Sequence, residues 1–247
     1  MKKNDFGYEQ VEREEHYSKV QEVFNNVAND YDLMNDFMSF GLHRSWKKEF
    51  VNLLKIDNNK ETKILDLAGG TGDIAKRIVK NHSNAKIKIV DKNFMMLKES
   101  NTKDKLLKSN QIDLICGDGE NIPLNDNSFD VITLSFGIRN MTDRKKCLEE
   151  CYRVLKPEGV FLCMEFSMPE NYTLRNLYDA WSFFVIPKLG KLITKSEDSY
   201  KYLVESIRTF PKPNEFIKTL EDVNFKRTSI RQLSGNIVCI YKSRKIL

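Results

Sequence analysis

Residues 64–73, ILDLAGGTGD, decide how the rest of the chain is read. An apolar run carrying one acid ends in two glycines, a third glycine follows Thr71, and a helical pattern, DIAKRIVKN, begins at Asp73. A strand that passes through glycines into a helix builds a site for a nucleotide-like ligand: the glycines let the backbone approach it, and the helix N-terminus offers unpaired N–H groups. Gly70-Thr71-Gly72-Asp73-Ile74-Ala75 satisfies the dinucleotide fingerprint, with Asp91 about 20 residues on, where a ribose-binding acid belongs. Charge speaks against that ligand. Asp66 ends the strand and Asp73 opens the helix, so two carboxylates bracket a loop that would have to hold a pyrophosphate.

A ligand with no phosphate and a positive end fits better. S-adenosylmethionine carries a sulfonium, an ammonium and a carboxylate on one arm and adenosine on the other. Asp66 would face the ammonium, directly or through water, with Gly70 and Gly72 close to the amino-acid portion. Asp91 would accept both ribose hydroxyls. In CGDGEN, after the third strand, Asp118 would accept from the adenine amino group while the Gly119 N–H donates to a ring nitrogen. Asp73 reads as a helix cap. The order of glycine loop, acid after strand two and acid after strand three favours the methyl donor over NAD.

Working outward, the periodicity alternates strand and helix over 62–166, with strands at KILDLA, AKIKIVD, QIDLICGD, SFDVITLSFG and VFLCMEFS. Nearly continuous apolar strands separated by helices imply an α/β fold with a mostly parallel sheet covered on both faces and its ligand at the carboxyl ends of the strands. Two helices are expected over 17–55, aromatic-rich helices over 170–224, and a C-terminal hairpin over 225–243 turning at Ser234, Gly235 and Asn236. The whole is read as one domain of 247 residues.

Charged residues make up 30% and the net charge is +5, which permits an anionic surface without indicating one. No apolar run is long enough to span a bilayer. The acid-containing N-terminal stretch lacks the marks of a secretory or transit signal, so a cytoplasmic location is expected, or a mitochondrial matrix if a presequence has been removed. Five scattered cysteines fit reduced thiols; Cys147 and Cys151 read as packed thiols rather than metal ligands, and no metal site is expected. Nucleic acid is disfavoured as a substrate: strand four leads into SFGIRN rather than a base clamp, no Pro-Cys nucleophile occurs, and basic residues are not interleaved with aromatics.

VFNNVANDYDLMNDFMSFGLHRSWK, ILDLAGGTGDIA, SFGIRNMTDR, YRVLKPEG, EFSMP and SYKYLVESIRTFP together resemble the ubiquinone/menaquinone biosynthesis C-methyltransferase family of UbiE type, in that family's order from about Val23 onward. The resemblance implies a Rossmann-like class I methyltransferase fold with a seven-stranded sheet and S-adenosylmethionine as donor. It also implies ring-carbon methylation of a polyprenyl benzoquinol or naphthoquinol. Family donor contacts fall on Thr71, Asp91, Asp118, Gly119 and Ser135.

Such chemistry needs a ring phenolate, because an aromatic carbon becomes nucleophilic when a ring hydroxyl loses its proton. Arg139 is the expected fixed cation for the developing oxyanion; as a guanidinium it is not itself the base, and water relaying to a carboxylate or to His43 is the working alternative. Asn140 either orients the ring or caps the next helix. Tyr31, Tyr178 and Tyr200 are expected around the quinol, and Trp181, Phe183, Phe184, Val185 and Ile186 along an isoprenoid path. A lipid-dissolved substrate would call for loose contact with a membrane surface. A homodimer, a place in a quinone biosynthesis complex, a non-catalytic scaffold role and an NAD-dependent oxidoreductase stay open as alternatives.

Overall fold

The computed structural model describes residues 3–28, 33, 35–36, 39–103, 110–186, 188 and 197–246. A short hairpin, β1 (Asn4–Phe6) and β2 (Glu9–Val11), opens the chain, followed by helices α1 (Arg13–Val27) and α2 (His43–Asn52). The core then alternates: β3 (Thr62–Leu67), α3 (Asp73–Asn81), β4 (Ala85–Asp91), α4 (Phe94–Lys103), β5 (Ile112–Cys116), β6 (Phe129–Ser135), α5 (Arg144–Val154) and β7 (Leu155–Phe166). Helices α6 (Tyr172–Ala180), α7 (Glu197–Thr209) and α8 (Pro213–Asp222) come next, and the hairpin of β8 (Phe225–Leu233) and β9 (Val238–Lys245) closes the chain.

The seven-stranded sheet runs β5-β4-β3-β6-β7-β9-β8. Pairings from β5 through β7 are parallel, while β9 is antiparallel to both of its neighbours. Alternation along β3 sends Ile64 into one core layer, with Phe50, Ile78, Ile87 and Leu203, and Leu65 and Leu67 into the other, with Ile132, Leu148, Leu220 and Phe225. Both faces are therefore covered, as expected from strands without a polar face. Strand order reverses at β3, which is flanked by β4 on one side and β6 on the other, so a crevice opens at the carboxyl ends of these strands.

The N-terminal hairpin went unread in the sequence because its strands are three residues each and mostly polar. It is held from outside: Phe6 stacks on Tyr202 with centroids 4.2 Å apart, and Gly7 turns at φ +61 directly against Glu205. The expected helix over 17–55 begins earlier, at Arg13. Cys147 and Cys151 lie on the buried face of α5 in the second core layer. No helix of the described residues is long and apolar enough to cross a membrane.

Candidate active site

The crevice at the switch point is a cleft of about 1010 Å³, its open mouth included. It is lined by the ends of β3 to β6 and the loops after them. At its foot lies Asp66, fully buried and paired in register with Thr133 of β6. The Thr133 hydroxyl donates to Asp66 Oδ1 at 2.8 Å, the Ala75 amide also favours the carboxylate, and Oδ2 has no hydrogen-bond partner among the described residues. Burial pushes the Asp66 carboxyl up to about 7. A Cβ on Gly69 would lie 2.9 Å from Oδ2, so only glycine leaves room for that oxygen at the loop.

The loop itself turns through left-handed backbone at Gly70 (φ +52) and at Gly72 (φ +77), which serves as the N-cap of α3. The Gly70 N–H is held by Asp91 Oδ2 at 2.9 Å, while Asp91 Oδ1 accepts from the Asn93 N–H at 2.8 Å. Burial raises the Asp91 carboxyl, and the two amides only partly offset it. Each Asp91 oxygen keeps a lone pair for a ligand hydroxyl. Asp118 sits across the cleft with Oδ1 on the Glu120 N–H (2.9 Å) and Oδ2 on the Lys92 ammonium (2.6 Å). Burial pushes Asp118 up, but Lys92 and the amide outweigh it, leaving the carboxyl below its usual range. Thr71, Gly119 and Ser135 also line the cleft, and the Ser135 hydroxyl is buried without a partner among the described residues.

The electrostatic balance of the loop is set from outside it. Asp73 neither caps α3 nor faces the cleft as a free charge: Lys47 of α2 bonds it at 2.7 Å and Arg77 at 2.8 Å. Burial works against ionisation, but these two cations win and hold the carboxyl at about 2. Among the described residues neither Asp66 nor Asp91 has a cationic partner, and Asp66 alone of the two keeps an oxygen without a hydrogen bond. A buried carboxylate oxygen with no donor suits a cationic ligand group and opposes a phosphate. The donor set therefore fits the ammonium, ribose and adenine of S-adenosylmethionine.

Helix α1 roofs the cleft with Val20, Gln21 and Phe24. It is pinned at three places: Arg13 pairs with Glu120, His16 Nδ1 meets Thr142 Oγ1 at 3.0 Å, and Asn93 Nδ2 bonds Gln21 Oε1 at 3.0 Å and Asn25 Oδ1 at 2.9 Å. None of Gln21, Lys47 or Asn93 was singled out from sequence. The apolar stripe of Val20, Val23, Phe24 and Val27 was legible as a helix face, but nothing local tells which surface that face covers.

The expected catalytic residues divide. Asn140 lines the cleft. Arg139, one residue earlier, does not present a free cation there: its guanidinium is 4% exposed and pairs with fully buried Glu165 at 2.7 Å, with Nη1 also on the Phe136 carbonyl at 2.9 Å. The pair is neutral and stands behind the cleft wall, which corrects its placement as the oxyanion's direct partner. His43 is likewise elsewhere. It opens α2, its Nε2 bonds Asp36 at 2.8 Å, and burial followed by the Lys47 charge lowers its pKa. Tyr178 is buried on α6 beside Arg208, with burial raising its hydroxyl to about 12, and Tyr200 is packed into the first core layer. Neither lines the cleft, so their expected contact with substrate is corrected as well. Tyr31 lies outside the described residues. Tyr202 does meet a cleft residue: its hydroxyl bonds Asn140 at 3.0 Å. It shares a helix and a motif with Tyr200, and sequence spacing alone does not separate the two.

A sheet wound both ways from β3, with an unpaired acid at its foot and further acids after the next two strands, defines the class I methyltransferase fold and its nucleoside cleft. The chain belongs to the ubiE/COQ5 methyltransferase family, whose model matches residues 10–245. It is 43% identical over the full length of both chains to the ubiquinone/menaquinone biosynthesis C-methyltransferase UbiE of Rickettsia bellii (strain OSU 85-389). It is 44% identical to the protein of the same name from Bartonella tribocorum, over 98% of this chain and 94% of that one. Among solved structures, a SAM dependent methyltransferase from Aquifex aeolicus superposes with a TM-score of 0.58 at 17% identity, covering 81% of this chain and 89% of that one. The [4+2]-cyclase SpnF superposes at 0.61 with 16% identity, covering 81% of each chain, which shows that the fold alone does not fix the reaction.

Proposed function

We infer that this protein transfers the methyl group of S-adenosylmethionine to a ring carbon of a polyprenyl benzoquinol or naphthoquinol, as a step of ubiquinone or menaquinone synthesis. The observation that carries the donor is the unpartnered Asp66 oxygen under the glycine loop of a full-length family member. Asp66 would hold the ammonium, Asp91 the ribose hydroxyls, and Asp118 with Gly119 the adenine edge, with Thr71 and Ser135 beside them. When bound, the donor supplies an electrophilic methyl on a sulfonium.

The chain's own part is to hold the acceptor carbon in line and to favour the phenolate form of the ring. Met96, Phe24, Phe136 and Met141 give the cleft an apolar wall against which a ring can lie. Arg139, paired with Glu165, shapes the loop after β6 rather than meeting the quinol.

Leu177 of α6 and Phe183 and Phe184 just beyond its end are exposed, and Phe40 is exposed with its ring 4.0 Å from Trp181. This apolar surface supports contact with a membrane from its cytoplasmic side, where the prenyl chain would enter. Sedimentation with anionic liposomes should capture the protein, and its absence from the pellet would remove this part. The methylation itself is tested in cells lacking the protein: mass spectrometry should find quinones short of one methyl group, and an unchanged quinone pool would overturn the reading.

A further inference from the structure

The amide of Asn140 has two partners inside the protein, and together they fix which way it faces. Nδ2 donates to the Phe136 carbonyl at 3.3 Å, and Oδ1 accepts from the Tyr202 hydroxyl at 3.0 Å. The carbonyl can only accept, so the amide nitrogen must lie on that side. The oxygen then faces Tyr202, whose hydroxyl must be the donor. One amide N–H is left over. Asn140 is not needed as a helix cap, because Asp143 caps α5 by accepting from the Lys146 N–H at 3.0 Å.

Tyr202 is itself held in place: it is buried, and Phe6 of the N-terminal hairpin stacks on its ring at an interplanar angle of 15°. Burial raises its hydroxyl to about 12 in spite of Arg139 and Arg144, so it remains a donor across the working range of pH. The neighbouring wall of the cleft is apolar at Phe136 and Met141, which leaves the spare Asn140 N–H as a directional donor on that side.

We propose that Tyr202 is a positioning residue for methyl transfer: it locks the Asn140 amide so that its spare N–H meets a ring oxygen of the acceptor, where negative charge gathers as the quinol hydroxyl gives its proton to water. This rests on the quinol reading above. It assigns the hairpin and α7 a part in the chemistry, through one hydrogen bond, without either touching the substrate. Flipped, the same amide would offer an oxygen to a developing phenolate and oppose it.

Tyr202→Phe deletes the hydroxyl and keeps the ring stack. With a prenylated quinol as acceptor, kcat should fall about 10- to 100-fold, the loss typical of a misoriented catalytic contact, while the Kd for S-adenosylhomocysteine stays within about twofold. Added to Asn140→Ala, it should slow the enzyme no further, since it acts only through that amide. A wild-type kcat in Tyr202→Phe, or losses that multiply in the double variant, would overturn the proposal. A second readout needs no turnover: the two Asn140 side-chain amide protons should give distinct, sharp NMR signals in the wild type that shift or broaden in Tyr202→Phe, and signals unchanged by that substitution overturn the lock. If the wild type methylates no quinol, the functional reading fails while the Asn140 amide signals, compared between wild type and Tyr202→Phe, still decide the role of Tyr202.

Discussion

Replacing Asp66 by asparagine should make the ligand-free protein gain stability relative to wild type as pH rises, while it loses its donor. Asp66 is fully buried with one oxygen on Thr133 and the other unpartnered, and its carboxyl is raised to about 7. Raising a carboxyl from its ordinary range to about 7 corresponds to about 4 kcal/mol by which the fold disfavours the ionised form. An acid whose folded pKa lies above its unfolded value costs nothing at low pH, where both states are protonated. The cost grows as pH climbs from about 4 to about 7 and is constant above that. Asparagine escapes it but leaves a buried N–H unsatisfied, at about 1 to 3 kcal/mol. Urea unfolding without ligand should therefore find the variant within about 1.5 kcal/mol of wild type at pH 5, and improved relative to it by about 2 to 3 kcal/mol on going to pH 7. Calorimetry with S-adenosylhomocysteine should show the opposite for binding: losing a buried charge partner costs about 2 to 5 kcal/mol, roughly 30-fold or more in Kd. In the wild type, affinity should rise by up to about tenfold per pH unit toward pH 7, then level until the ligand's own ammonium begins to titrate near pH 8. Parallel stability curves for the two proteins, or affinity that is flat with pH and equal in both, would refute the assignment of Asp66.

Two further outcomes follow from paired charges. Asp73 is held at about 2 by Lys47 and Arg77, so its contribution is present above about pH 4 and lost as pH falls toward 2. Lys47→Met should cost about 1 to 3 kcal/mol at pH 7 and raise the pH of acid unfolding seen by circular dichroism; an equal cost at pH 7 and pH 2.5 would contradict the pairing. Arg139→Met strands the buried Glu165 charge and should destabilise by about 3 to 5 kcal/mol in urea, while Arg139→Met with Glu165→Met recovers most of that loss. A single variant within about 1 kcal/mol of wild type would contradict the buried pair.

The residues that were legible in the sequence are those whose meaning is set by order along the chain. The glycine loop and Asp66, Asp91 and Asp118 stand at successive strand ends, and a parallel sheet brings successive strand ends together, so their convergence on one cleft follows from the βαβ pattern. Partners that meet across layers carry no such signal. Lys47 reaches Asp73 from α2, Glu165 reaches Arg139 from the next strand, and Asn93 ties the loop after β4 to α1. Each of these neutralises or fixes a group whose type alone suggested another task. Arg139 looked like a free cation because its counter-charge is 26 residues away, and Asp73 looked like a cap because it opens the helical pattern, although Gly72 fills the cap position. Tyr202 rather than Tyr200 meets Asn140 of the cleft because side chains two apart on a helix point to different faces, and Phe6 stacks on Tyr202.

The central claim is that this cleft binds a sulfonium nucleoside and passes its methyl group to a quinol ring carbon. The most direct measurement incubates the purified protein with donor carrying a 13C-labelled methyl and a reduced prenyl benzoquinol or naphthoquinol in detergent micelles, and reads the product by NMR. The label should appear as an aryl C–CH3 signal, in amounts that depend on Asp66; label on a ring oxygen, or none with either quinol, would contradict the account.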